Sequence, residues 1–477
     1  MKVTNFVKDV RAGTISVVEH TRKILDEIKK QNKKYNYFNL IAEESALEQA
    51  KELDKGIKKG TAKGKLLGVP ISVKDCLCVK GMESRAGSKI LSGYKPTFDA
   101  TPVLRAKEEG AIIIGKTSQD EFGFGSLSVN VGVGFEKPKN PHDENRVCGG
   151  SSGGAAGFTA LTKFSHIAFG QSTGGSIVAP SSFCGVTGLC PTYGRISRYG
   201  LMDYANSLDK IGPIAKSSEE AALLLEVASG FDHRDSTCLP NTVPDYVKSA
   251  KNPPKGLKIG VIKEFLKGEV DEKIAEIMWG GIKNLESNGV KYEEISLPLN
   301  AKYGIPAYYL IATAEASTNL AKYCGMRYGA SANLKGNFDE YFTKVRSENF
   351  GEEAKRRIMI GTFARMSGFR DAYYLKAMKV RTKLINEYRS AFKNFDALAN
   401  PTMPVIAPRF SETEKMSPAQ EYAMDLMTCP ANLAGLPHIS VNAGFHKDMP
   451  VGIMFTGDFL GEKKLLSLGN SAEVRFK

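Results

Sequence analysis

Between Gly149 and Pro180 the chain runs GGSSGGAAGFTALTKFSHIAFGQSTGGSIVAP, two glycine–serine turns separated by a short helical run and a short apolar run. Glycine admits backbone dihedrals that larger residues resist, so amide N–H groups can crowd around an oxygen at such a turn. One turn of this kind is an ordinary loop. Two of them with a strand signal between point to a serine nucleophile, a second hydroxyl and an oxyanion pocket, and they require a base from elsewhere in the chain. The small residues after Ser152 suit the start of a tightly packed helix whose first N–H groups face the serine pair. His166 to Gly170 reads as a strand, and successive amides of Thr173, Gly174, Gly175 and Ser176 converge on one oxygen.

For the base, the stretch GVPISVKD from Gly68 to Asp75 reads as a short strand that delivers Lys74 at its end. Taken alone, a lysine after a strand is most often a surface residue. Burial, or hydrogen bonding to hydroxyls, lowers a lysine pKa far enough for it to act as a base in Ser–Lys variants of the serine triad. Two other patterns are set aside. Residues 110–117, GAIIIGKT, fit the phosphate-binding pattern GxxxxGK[ST], but their variable positions are alanine and isoleucine and read as the strand itself. The GxSxG pattern at 149–153 follows the polar run PKNPHDENRVC, where a hydrolase elbow demands an apolar strand, and the six histidines show no triad placement.

Composition narrows the setting. Eight cysteines with no CxxC pair indicate neither a zinc site nor a disulfide framework, which favours a reducing, cytoplasmic location. No apolar run is long enough to span a membrane, and the first residues do not form a signal peptide. The formal charge of +13 is spread along the chain rather than clustered, so it reads as solubility before it reads as RNA binding. Ser16 and Glu19 have capping-box spacing ahead of a helix. Residues 1–67 read as an N-terminal helical segment and 68–477 as the catalytic domain. A long helical run is expected from Glu352 to about Phe392, and strands alternating with helices make the fold α/β.

A strand-end lysine in a VKD context, a GGSSGG turn and a later TGGS turn, in that order, resemble the amidase signature enzymes. The resemblance runs from about Gly68 to the C-terminus. It implies one large mixed β-sheet surrounded by helices, with Ser176 as acyl-forming nucleophile, Ser152 as the bridging serine held by a cis peptide, and Lys74 as base. Ser152 stands twenty-four residues before Ser176, the usual interval in that family, which leaves Ser151 as a neighbour without a catalytic role.

Three further stretches are similar to the A subunits of glutamine-dependent aminoacyl-tRNA amidotransferases. They begin at Cys184 (CGVTGLCPTYGR), at Ala307 (AYYLIA) and at Lys355 (KRRIMIGT). The resemblance implies that Tyr308, Arg357 and Asp425 hold free glutamine, and these types fit, since an α-carboxylate wants a guanidinium fork and an α-ammonium a carboxylate. It also implies no cofactor in this chain, a B subunit that uses ATP and Mg to activate mischarged Glu-tRNA or Asp-tRNA, and a small C subunit that clasps the two. Four positions depart from the family's habit: Ser172 for Asp, Val178 for Arg, Cys190 for Lys and Ser118 for Asn. A stand-alone amidase acting on another small amide, and a catalytically inactive scaffold subunit, remain as alternatives.

Overall fold

A computed structural model describes residues 1–268, 270–333 and 336–474. Among the described residues, eleven strands form a single mixed sheet: β1 (Phe38–Ile41), β2 (Pro70–Lys74), β3 (Ile112–Thr117), β4 (Ile167–Ser172), β5 (Thr187–Cys190), β6 (Lys210–Ala215), β7 (Lys258–Ile262), β8 (Lys291–Ile295), β9 (Ala397–Pro401), β10 (His438–His446) and β11 (Met449–Gly457). Their order across the sheet is β1-β3-β2-β4-β6-β5-β10-β11-β9-β7-β8. Helices cover it, and strands β2, β3, β4, β5 and β6 are buried along their whole length, as near-continuous apolar runs require. This is the α/β sheet wrapped by helices that the sequence indicates.

The pairing that matters most for function is β2 with β4. They run parallel, with Ile71 opposite Ile167 and Val73 opposite Phe169. Their carboxyl ends therefore emerge side by side, where open α/β sheets place ligands. One end carries Lys74, and the other leads straight into the Thr173–Ser176 turn.

The N-terminal helical residues do not stand apart from this sheet. β1 pairs antiparallel with β3, so residues 38–41 form one edge of it. The helix Val17–Tyr35 is capped by Ser16, whose hydroxyl accepts from the Glu19 amide at 3.3 Å. The reciprocal half of a capping box is replaced by Asp54, which accepts from the Ser16 hydroxyl and from the amides of Val17 and Val18. The long helix expected from Glu352 is two helices, Glu352–Arg365 and Lys376–Ala391, separated by a turn and a π-helical segment. Gly368 takes φ +87° in that turn, a conformation that ends an α-helix. The phosphate-loop look-alike is β3 itself. Its Lys116 is buried and donates to Leu77 O and to Ser84 Oγ, both at 2.6 Å, with Asp75 3.6 Å away.

Candidate active site

Lys74 closes β2 with no exposed surface. Its Nζ lies 2.7 Å from Ser151 Oγ, 2.8 Å from the main-chain oxygen of Gln171 and 3.1 Å from Gln171 Oε1. Burial pushes the lysine pKa down to about 8, against the pull of Cys76, Asp120 and Asp209. A neutral amine at a hydroxyl is the chemistry that a Ser–Lys base needs.

The structure brings the neighbouring serine, and not the expected one, to the lysine. Ser151, and not Ser152, contacts Lys74. The cis peptide joins Gly150 to Ser151. Ser152 occupies the N-cap position of the helix Gly153–Leu161, and its hydroxyl donates to Gln171 O at 3.2 Å. Ser152 Oγ and Lys74 Nζ thus share the Gln171 main-chain oxygen as acceptor, and only Ser151 Oγ bonds to the lysine itself. The Ser152 amide donates to Ser176 O at 3.2 Å, which ties the two glycine–serine turns together.

Ser176 is 5% exposed, and among the described residues its hydroxyl makes no hydrogen bond. No histidine among the described residues bonds to any of the three serines; His166, for example, meets Ser72. The amides of Gly174, Gly175 and Ser176 are likewise engaged by no group among the described residues. Thr173 is fixed from both sides, its hydroxyl donating to Asp209 Oδ1 at 2.6 Å and its carbonyl accepting from Asn432 Nδ2. Glycine is needed beside it, because a Cβ on Gly174 would stand 2.6 Å from Cys429 Sγ and 3.0 Å from Tyr308 Oη. Tyr308 thus overlies the turn that carries the nucleophile candidate.

Arg357 lies in a closed aromatic cage. Its guanidinium carbon is 5.2 to 5.8 Å from the rings of Phe124, Tyr204, Tyr309 and Tyr422. Nε donates to Glu353 Oε1 at 2.7 Å and Nη1 to Tyr204 Oη at 2.7 Å, whereas Nη2 is buried without a partner among the described residues. A buried donor left unpaired costs about 1–3 kcal/mol, so Nη2 is a place for an incoming acceptor. Asp425, buried nearby, accepts from Tyr309 Oη at 3.0 Å. Burial raises its pKa to about 6, while the tyrosine hydrogen bond and Arg357 hold it down.

Sequence reasoning named Tyr308, Arg357 and Asp425, and missed Tyr309, Tyr204, Glu353, Gln171 and Asp209. Of these only Glu353 left a trace in the sequence, its i,i+4 spacing from Arg357. The departures from the family's habit are accommodated without stray charge. Ser172 Oγ donates to Gly174 O at 3.1 Å, and Val178 is fully buried. Cys190 Sγ reaches Asn432 Oδ1 at 3.5 Å, and buried Ser118 donates its amide to Tyr37 O at 2.8 Å. Among the described residues no cluster of three His, Cys, Asp or Glu side chains could hold a metal ion.

Comparison with known proteins identifies the family. The amidase family model matches residues 19–466. The A subunit of the glutamyl-tRNA(Gln) amidotransferase from Nostoc sp. is 44% identical over 463 residues, covering 96% of this chain and 94% of the relative. The protein of the same name from Carboxydothermus hydrogenoformans is 43% identical over 473 residues, covering 99% and 96%. Among solved structures, the A subunit of the glutamyl-tRNA(Gln) amidotransferase from Thermotoga maritima superimposes with a TM-score of 0.79 at 34% identity, covering 96% of this chain and 94% of that one. A family match that reaches from the first long helix almost to the C-terminus, with relatives this similar along the whole chain, means that this protein belongs to the amidase signature family.

Proposed function

We propose that this chain is the glutamine-hydrolysing subunit of a tRNA-dependent amidotransferase, with Ser176 as nucleophile, Ser151 as the bridging hydroxyl and Lys74 as base. Neutral Lys74 takes the proton of Ser151 as Ser151 takes that of Ser176. Ser176 Oγ then attacks the side-chain amide carbon of glutamine, and the amides of the Thr173–Ser176 turn receive the oxyanion. The proton returns through the same relay to the leaving nitrogen, ammonia departs, and water releases glutamate from the acyl-enzyme by the reverse path.

The observation that carries the substrate assignment is the burial of opposite charges around Tyr309. Arg357 offers an unpartnered Nη2, and Asp425 lies at the tyrosine hydroxyl. A free α-amino acid brings a carboxylate to the first and an ammonium to the second, with Tyr308 between the pocket and the nucleophile turn. Relatives named as the A subunit of glutamyl-tRNA(Gln) amidotransferase support the wider role. In that role ammonia passes to a B subunit, which activates mischarged Glu-tRNA(Gln) or Asp-tRNA(Asn) with ATP and Mg, and a C subunit clasps the pair.

The test is ammonia release from glutamine by this chain co-expressed with B and C subunits, beside Ser176→Ala and Arg357→Ala. Release that vanishes in Ser176→Ala and loses glutamine affinity in Arg357→Ala supports the proposal. Turnover of simple amides but not glutamine identifies a stand-alone amidase instead, and silence towards both identifies a scaffold.

A further inference from the structure

The three oxygens around Lys74 are not equivalent. The main-chain O and the Oε1 of Gln171, at 2.8 and 3.1 Å, are carbonyl oxygens and only accept. Ser151 Oγ, at 2.7 Å, can also donate. A neutral primary amine has two hydrogens and one lone pair. If the two carbonyl oxygens take the hydrogens, the lone pair is left facing Ser151, and the serine hydrogen is directed toward the lysine.

The direction of the Gln171 amide is itself determined. Its Nε2 donates to Asp209 Oδ1 at 3.1 Å and to Thr173 Oγ1 at 2.8 Å. Asp209 Oδ1 also accepts the Thr173 hydroxyl hydrogen at 2.6 Å, so the Thr173 oxygen is free to receive Nε2. The other oxygen of Asp209 accepts from the amides of Tyr204 and Ala205 at 2.9 and 3.0 Å. Turning the amide over would set its oxygen against a carboxylate oxygen and its N–H groups against the lysine hydrogens.

We propose that Gln171, oriented by Asp209, is a positioning residue of the amidase reaction: its two carbonyl oxygens hold both hydrogens of neutral Lys74 and thereby aim the lysine lone pair at the Ser151 hydroxyl. The inference rests on the reading of Lys74, Ser151 and Ser176 as the proton relay. The same arrangement couples the base to the oxyanion turn, since Asp209 holds Gln171 and Thr173 with one oxygen.

The experiment uses the full chain in its complex with B and C subunits and compares Gln171→Met and Gln171→Glu with wild type. Methionine keeps the length and removes the side-chain acceptor and donor. Its expected effect is a fall in kcat of about tenfold to a hundredfold, with KM for glutamine within about twofold of wild type. Among the described residues, the charged or titratable groups that act on Lys74 are Cys76, Asp120 and Asp209, and the adjacent Asp75 is paired with Lys116 at 3.6 Å. Gln171→Glu adds a carboxylate to this set and moves the acid limb of kcat, read at saturating glutamine so that the Asp425 titration in KM does not enter, to higher pH. Gln171→Met removes an acceptor from the ammonium form and moves the limb to lower pH. A purely structural role gives no opposite displacement. If thermal melting shows that the methionine variant is unfolded, Gln171→Leu takes its place.

A methionine variant whose kcat stays within about twofold of wild type, or limbs that move in the same direction in both variants, overturns the proposal. If wild type releases no ammonia from glutamine, the substrate assignment fails on its own. The relay is then read from the rate at which a fluorophosphonate labels Ser176: slower labelling in Gln171→Met supports the positioning role, and an unchanged rate overturns it.

Discussion

Tyr309 donates its hydroxyl to Asp425 at 3.0 Å while its ring lies 5.2 Å from the Arg357 guanidinium carbon, so one side chain touches both buried charged groups of the proposed glutamine site. The ionised form of Asp425 is the one that holds an ammonium. With its pKa raised to about 6 by burial, KM for glutamine should climb as pH falls through that value. Tyr309→Phe removes a donor that favours the carboxylate, which raises the pKa and moves the climb to higher pH, with a loss of affinity of about three- to tenfold at neutral pH. Steady-state kinetics between pH 5 and 8 (roughly the span of one such titration) decide it. An unmoved limb would show that Asp425 does not meet the ammonium.

The two adjacent serines separate cleanly by mutation. Ser151→Ala should lower kcat by about a hundredfold or more, as loss of a proton-transferring group does. Ser152→Ala removes only a hydrogen bond to Gln171 O and should cost about tenfold at most. Both variants should still bind glutamine, which calorimetry can check. The reverse ranking of kcat values would return the bridging role to Ser152.

Arg357→Lys keeps the charge and loses the fork. A lysine cannot donate to Glu353 and Tyr204 and still offer a third planar N–H to a carboxylate. KM for glutamine should rise about ten- to a hundredfold, with a much smaller change in kcat. Glu353→Gln should give a weaker version of the same effect, because it loosens the guanidinium without removing it. An increase in KM for Glu353→Gln as large as for Arg357→Lys would mean that the pair binds as a unit.

Gly174→Ala should fold and fail to turn over. The added methyl meets Cys429 Sγ and Tyr308 Oη, so the turn must shift, at about 1–3 kcal/mol of stability. A variant that melts a few degrees lower yet keeps wild-type kcat would show that the turn does not hold the oxyanion.

A residue's place is legible in the sequence wherever it depends on its own segment. Lys74 sits at a strand end because the apolar run before it can only be a buried strand. The 110–117 pattern is a strand because isoleucine at three positions leaves no room for a phosphate-wrapping loop. What escaped depends on direction between neighbours. Tyr308 and Tyr309 are consecutive on the helix Pro298–Asn319, yet one faces Gly174 and the other Asp425. Ser151 and Ser152 are adjacent in the chain, yet one hydroxyl meets Lys74 and the other meets Gln171 O. Gln171 and Asp209 meet through the antiparallel pairing of β4 with β6, a contact no local pattern announces.

Parallel pairing of β2 and β4 has a consequence for how such a chain tolerates change. The separation of Lys74 and the Thr173–Ser176 turn is set by the spacing of neighbouring strands, about 4.8 Å, and not by the length of chain between them. The connection from the helix Gly153–Leu161 to β4 turns at the opposite end of the sheet from Lys74. A residue gained or lost there changes a distant bend and leaves Lys74 and the serine turns where they were. Ser151 precedes Ser176 by twenty-five residues without disturbing its contact with the lysine. In this architecture drift in loop length is silent, and residue counting is a poor ruler for finding partners that the sheet holds together.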